Sequence, residues 1–127
     1  MYLDTDIILA LIKDSDWLKP HVDIKKIKNP ETSVFTIIEA EIVLLREYGR
    51  EHVFPVLENV KKHKIKIIPF DEVVLVKSIE MLKKYSRLNI FDSVHAAYSI
   101  VKRDKIISTD TIFDEIEEIE KIDPRDM

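Results

Sequence analysis

Four carboxylates from distant parts of the chain, and a fifth beside the first, stand where they could act on one chemistry. Asp4 and Asp6 lie in MYLDTDIILALI, Glu39 in SVFTIIEAE, Asp92 in LNIFDSVHAAYSI and Asp110 in IISTDTIFDEI. Acids in such settings cap helices by accepting backbone amides. They also serve as nucleophile or acid in phosphoryl transfer, or hold hard divalent cations through oxygen. Taken singly, each fits a cap. Thr36-Ile37-Ile38-Glu39 has the spacing of a capping box, and Asp4, Asp92 and Asp110 stand where an N-cap or first-turn acid belongs.

The elements around them decide more than any one acid does. Apolar runs at Met1–Leu3, Thr32–Phe35, Ile65–Pro69 and Lys105–Ser108 read as strands, with Ile119–Ile122 a fifth. Helical patterns fill the gaps. Thr36 to Tyr48 places Ile38, Ile42 and Leu45 on one stripe and Ile37, Ala40 and Leu44 on the next. Val53 to His63 carries Val53, Val56, Leu57 and Val60. Glu72 to Tyr85, behind the cap candidate Asp71, carries Val73, Val76, Ile79 and Leu82, and Phe91 to Arg103 supplies a further helix. Alternating strands and helices predict a three-layer α/β/α sandwich with a central parallel sheet of four to five strands. No repeat, linker or low-complexity tract interrupts it, so residues 1–127 are expected to form a single domain.

Ligands of open parallel sheets bind past the carboxyl ends of the strands. Asp4 directly follows the first strand and Asp110 closely follows the fourth, while Glu39 and Asp92 stand near the starts of helices that begin at the same edge. Two arguments then favour a metal over four separate caps. Asp92 opens a helix with no other charge from Ser93 to Val101, and a carboxylate on a buried helix is costly unless paired or metal-bound. Like charges gathered together also repel unless a cation holds them, and no lysine or arginine adjoins these acids in sequence. Mg²⁺ or Mn²⁺ is the economical cation.

Composition narrows the classes. The chain has 46% hydrophobic and 35% charged residues, no cysteine and a net charge of −4. That excludes a disulfide scaffold or thiolate zinc site, fits a reducing cytoplasm, and excludes a bulk-basic nucleic-acid binder. A divalent ion would let an acidic pocket accept phosphate by inverting the local field. No apolar run nears the ~20 residues of a membrane span, and the N-terminus lacks the basic start and cleavage site of a signal peptide.

With these residues in order, the chain resembles the PIN-domain ribonucleases, and at this size the VapC-like toxins of toxin–antitoxin pairs. LDTDIILALI is similar to the family's strand ending in Asp-x-Asn/Asp, and SVFTIIEAE to its strand followed by Thr-x-x-Glu. LNIFDSVHAAYSI is similar to its aspartate opening a small-residue helix, and IISTDTIFDEI to its Thr/Ser-x-Asp strand end. The resemblance implies a Mg²⁺- or Mn²⁺-dependent endoribonuclease whose catalytic and metal-holding residues are Asp4, Glu39, Asp92 and Asp110. It implies an RNA substrate, a cognate antitoxin and a homodimer. Thr5 and Ser108 match supporting positions, Asp6 stands where many members carry asparagine, and Glu41 and Asp114 are further acids near motif positions.

Two other readings share the same residues. Asp4-Thr5-Asp6 also resembles the DxD start of haloacid-dehalogenase-type phosphatases, with Asp110 and Asp114 imitating their late metal motif; that reading leaves Glu39 and Asp92 without a role. The other is a catalytically inactive PIN-like interaction module. His95, one turn past Asp92, could reach the site as a base, although a histidine so placed is more often an ordinary satisfied helix residue. His21, His52 and His63 lack ligand spacing. The lysines at 25–28, 61–64 and 83–84 read first as solvated surface and second as phosphate contacts.

Overall fold

A computed structural model of the chain describes residues 1–52 and 55–127. Five short parallel strands form one sheet: β1 (Tyr2–Leu3), β2 (Glu31–Ser33), β3 (Lys66–Ile68), β4 (Ile106–Ile107) and β5 (Lys121–Ile122). Their order is β3-β2-β1-β4-β5. Tyr2 lies opposite Glu31 on one side and Ile106 on the other, and Ile107 lies opposite Ile122. The chain thus builds outward from β1 through β2 and β3, then returns to place β4 on the other flank. The reversal falls between β1 and β4, the position where open α/β sheets hold their ligands.

Among the described residues five α-helices cover the sheet: α1 (Thr5–Ile12), α2 (Val34–Tyr48), α3 (Val56–Lys62), α4 (Glu72–Lys84) and α5 (Ile90–Lys102). Strand alternation sorts them into two layers, because successive side chains point to opposite faces. Tyr2 and Ile106 enter one core with Val74, Met81, Val94 and Tyr98 of α4 and α5. Leu3 and Ile107 enter the other with Ile7, Ala40, Leu44 and Val60 of α1, α2 and α3. The predicted three-layer architecture is present, with all five strands parallel. Among the described residues no helix is long and apolar enough to cross a membrane.

Local chemistry moves some expected boundaries. The second strand ends at Ser33, not Phe35, because Ser33 caps α2 and its Oγ accepts the Thr36 amide at 3.3 Å. The expected Thr36–Glu39 capping box therefore does not form; Glu39 sits in the second turn, free for other work. At its far end α2 stops at Gly49, whose φ of 79° suits glycine alone, and whose N–H reaches the Leu45 carbonyl at 2.9 Å. The third helix begins at Val56; Val53 lies outside the described residues.

The stripe expected to bury α4 is also corrected. Val73, Val76, Ile79 and Leu82 are exposed, and Val74, Ser78 and Met81 are buried. On α2 the buried stripe contains Ala40 and Leu44, while Ile38 is exposed. On α4 the buried stripe even includes Ser78, whose hydroxyl donates to the Leu75 carbonyl at 2.7 Å, so packing did not select the more apolar stripe.

Candidate active site

Asp4, Asp6, Glu39, Asp92 and Asp110 line one cleft of about 350 Å³, together with Thr5, Thr109, Leu9 and Val43. It opens at the carboxyl edge of the sheet, between the ends of β1 and β4. Asp4 is the first residue past β1 and caps α1, its Oδ1 accepting the Thr5 amide at 2.7 Å. Its Oδ2 accepts the Ser108 hydroxyl, one residue past β4, at 2.7 Å. Ser108 in turn accepts the Asp110 amide at 3.0 Å, which ties the two strand ends together. Asp110 caps the short 3₁₀ turn Thr111–Glu115 through the Ile112 amide at 3.0 Å.

Asp92 is half-buried in the first turn of α5 and forms a reciprocal capping box with Asn89. The Asp92 amide donates to Asn89 Oδ1 at 2.8 Å, and the Asn89 amide to Asp92 Oδ2 at 3.3 Å. The expectation of a fully buried carboxylate is corrected, the capping role open to Asp92 from the sequence is present, and among the described residues no lysine or arginine pairs with it. The expectation for the rest of the helix holds, since Ser93 to Ser99 are all buried.

His95 lies at the centre of the acids. Its ring is buried, with Nε2 2.8 Å from Glu39 Oε1 and 3.6 Å from Asp4 Oδ1. An ionised carboxylate only accepts, so Nε2 carries a proton in this contact. The other ring nitrogen, Nδ1, is 2.7 Å from the Tyr2 hydroxyl, which also sits 2.7 Å from Ser33 Oγ and 3.2 Å from Thr36 Oγ1. Thr5 Oγ1 donates a short hydrogen bond to the same Glu39 Oε1. Glu39 is thereby held by one oxygen, and Oε2 is left for another partner. This positioning network was not legible as such in the sequence. Its one signal was spacing, since residues three apart share a helix face and Asp92 and His95 are so placed.

Asp6 projects into the cleft from the first turn of α1. Its Oδ2 accepts from Thr109 twice, from the amide at 2.8 Å and the hydroxyl at 2.6 Å. Its Oδ1 is buried with no hydrogen-bond partner among the described residues, an arrangement native proteins generally avoid. Burial, and then the charge of Asp4, push its pKa up to about 6. Burial also raises Asp4, partly offset by His95 and Ser108. Burial raises Asp92 as well, with Asp110 adding to it. Burial would raise Glu39 too, but the His95 and Thr5 contacts outweigh it and hold this carboxyl below the usual range. Burial would lower His95; the hydrogen bond to Glu39 and the charges of Asp4, Glu39 and Asp92 raise it instead.

This donor set fits a hard divalent cation. It consists of carboxylate oxygens from four chain segments, destabilised by their own proximity, with an orphaned oxygen on Asp6. Atoms of Asp4, Glu39 and His95 lie within 4.8 Å of one another; with Nε2 protonated toward Glu39, the two carboxylates are the candidate ligands and the imidazole is their brace. Of the further residues singled out from the sequence, Thr5 and Asp6 line the cleft and Ser108 braces Asp4. Asp114 does not join them: it is exposed and ion-paired with Lys121 at 3.1 Å. The phosphatase-like reading needs Asp114 and gives no task to Glu39 or Asp92, the reverse of what the cleft contains.

Comparison with known proteins agrees with this arrangement. The PIN domain family model matches residues 1–119. No curated protein matches the sequence significantly. Among solved structures, VapC20 of Mycobacterium tuberculosis, a sarcin-ricin loop cleaving toxin, superposes with a TM-score of 0.75 at 14% identity over 94% of this chain and 96% of that one. A toxin–antitoxin complex from Klebsiella pneumoniae gives 0.71 at 16% identity, covering 97% and 96%. FitAcB from Neisseria gonorrhoeae gives 0.68 at 18% identity, covering 99% of each. At these identities the likeness is one of fold, while the family match spans nearly the whole sequence. The chain belongs to the PIN domain family.

Proposed function

We propose that this protein is a Mg²⁺- or Mn²⁺-dependent endoribonuclease, the toxin of a toxin–antitoxin pair. The observation that carries the reading is the convergence of Asp4, Glu39, Asp92 and Asp110 on one cleft at the β1–β4 switch point, with the unpartnered Oδ1 of Asp6 among them. These four acids are the metal-holding residues of the proposal, and Asp6 is a candidate fifth. A bound ion supplies charge neutralisation on the phosphodiester and activation of the attacking water.

The chain's own residues do the remaining work. Ser108 and the Thr5 amide fix the two oxygens of Asp4, so its orientation is set before substrate arrives. His95 and Thr5 hold Glu39 by Oε1 and present Oε2 as ligand or as the acceptor that orients the water. Asp92, half-buried, stands where it can orient or deprotonate that water.

The antitoxin rests on the solved structures of similar fold, among them the toxin–antitoxin complex from Klebsiella pneumoniae. The exposed apolar stripe Val73, Val76, Ile79 and Leu82 on α4 is surface that a second copy or such a partner could cover. On this reading the protein acts in the cytoplasm, on RNA, which fits a chain without cysteine. The test is RNA cleavage and Mn²⁺ binding, measured by gel and by calorimetry, in the intact protein and in the Asp4→Asn/Asp92→Asn double variant. Both properties are expected to be lost together in the variant. Unchanged cleavage and unchanged Mn²⁺ binding would sink the reading, and Mn²⁺ binding with no cleavage of any RNA would favour the inactive interaction module.

A further inference from the structure

Beside the acid cleft lies a second feature that the metal chemistry does not use. Trp17, the only tryptophan of the chain, leaves 65% of its surface exposed. The Arg125 guanidinium lies over its ring, 5.6 Å from the centroid. Arg125 belongs to the 3₁₀ turn Pro124–Asp126 directly past β5. The Ser108 amide, beside the acid cleft, donates to the Ile122 carbonyl at the end of that strand, 3.1 Å away. Arg125 is therefore held at the same sheet edge as the acids. Its guanidinium is bound to Asp123 and lies within electrostatic reach of Asp126 and then Asp6.

On its other side Arg125 walls a cleft of about 270 Å³ with His21, Lys26 and Pro124. Asp23 is the one acidic side chain lining that cleft, where Met127 also stands, and its Oδ1 is occupied by the Lys25 amide at 3.0 Å. Among the described residues Lys25, Lys26 and Lys28 have no carboxylate partner, as is true of the lysines at 61–64 and of Lys83 on other faces, but only this group adjoins an exposed tryptophan. A net charge of −4 means that a polyanion must be gathered locally. This edge offers an exposed indole together with Lys25, Lys26 and Lys28, while Arg125, already paired with Asp123, packs over the ring. That pairing suits a single-stranded nucleic acid, whose bases stack while its phosphates meet lysine and arginine.

We propose that Trp17 and the Arg125–Lys26 cleft bind the single-stranded RNA segment adjoining the phosphate in the acid cleft. One base stacks on the indole, Lys26 takes a backbone phosphate, and Arg125, held by Asp123, orients the ring. The assignment rests on the ribonuclease reading above and adds to it where the strand runs, namely past Asp6 toward β5.

The single tryptophan makes the test direct. A short unstructured oligoribonucleotide carrying a fluorescent end label is titrated into the chelator-treated protein, which prevents cleavage. Trp17 emission and label anisotropy are followed together. Saturable quenching of Trp17 is expected in step with the anisotropy rise. Trp17→Ala is expected to weaken binding about tenfold, with Trp17→Phe restoring most of it and Lys26→Glu weakening it in a salt-dependent way. An anisotropy rise with unchanged Trp17 emission, or equal affinity of Trp17→Ala, overturns the proposal. Quenching by peptides but not by RNA overturns it in favour of a protein partner. Quenching by RNA in a protein that never cuts RNA with Mn²⁺ upholds the subsite and refutes the nuclease reading instead.

Discussion

Glu39 of α2 and His95 of α5 are hydrogen-bonded at the floor of the acid cleft, Oε1 to Nε2 at 2.8 Å, with His95 buried behind the lining and Tyr2 behind the imidazole at 2.7 Å. This contact determines which oxygen of Glu39 remains free, so His95 is a positioning residue for the candidate metal centre. Outer partners of metal ligands are commonly worth 10–100-fold in affinity. His95→Ala is expected to weaken Mn²⁺ binding by about tenfold, measured by calorimetry. His95→Gln, which keeps one donor toward Glu39, is expected to recover part of the loss. Equal Mn²⁺ affinity in all three proteins would show that Glu39 is held without the histidine.

Asp6 predicts an unusual pH response. Its pKa is raised to about 6, so the native state binds more protons than the unfolded state between that value and the ordinary aspartate range. Stability then rises as pH falls from neutral through about 6. Asp4 and Asp92, also raised, act in the same direction. His95 adds stability that is lost as pH rises through its own elevated value. Glu39, lowered, loses its contribution only below the ordinary glutamate range and does not oppose the trend. The chelator-treated protein is expected to melt at a higher temperature in mild acid than in mild alkali, by roughly 1–3 kcal/mol of stability. Asp6→Asn, which keeps an oxygen for Thr109, is expected to flatten this dependence.

Divalent ions are expected to relieve the same repulsion. A ligand bound only by the folded state stabilises by about 2.7 kcal/mol at a hundredfold excess over its Kd. Thermal melting with saturating Mn²⁺ is expected to show an upward shift in the intact protein and little in Asp4→Asn/Asp92→Asn. A shift of equal size in both would place ion binding elsewhere.

The two stripes of α4 give a structural test. Val76→Asp on the exposed stripe is expected to change stability by no more than ~0.5 kcal/mol. Val74→Asp, which forces a charge into the core beside Met81 and Leu88, is expected to unfold the protein or cost more than about 4 kcal/mol. Chemical denaturation compares them, and size-exclusion chromatography of Val76→Asp reports whether the exposed stripe is an interface between copies.

Much of the architecture was legible along the chain because its causes are local. Apolar runs of strand length alternate with helical patterns, and that alternation forces crossovers and a parallel sheet. Asp4 and Asp110 directly follow strands, so the carboxyl edge was the place to look, and the charge-free stretch after Asp92 marked a buried helix. What sequence spacing left undecided depended on groups that meet only in three dimensions. Two apolar stripes on α4 satisfy the same period, and only the packing of α4 on α5 and the sheet chose Val74 and Met81 over Val76 and Ile79. Ser33 outcompeted Thr36 as a cap once β2 ended against β1. Asp6 turned inward because Thr109, 103 residues away, offers it two donors. His95, which by its position could have been an ordinary helix residue, became the brace of Glu39 because α2 and α5 converge on Tyr2. The sequence by itself determined the kind of fold and the acids at its edge; tertiary structure decided which of their oxygens are held and which are left free for a cation.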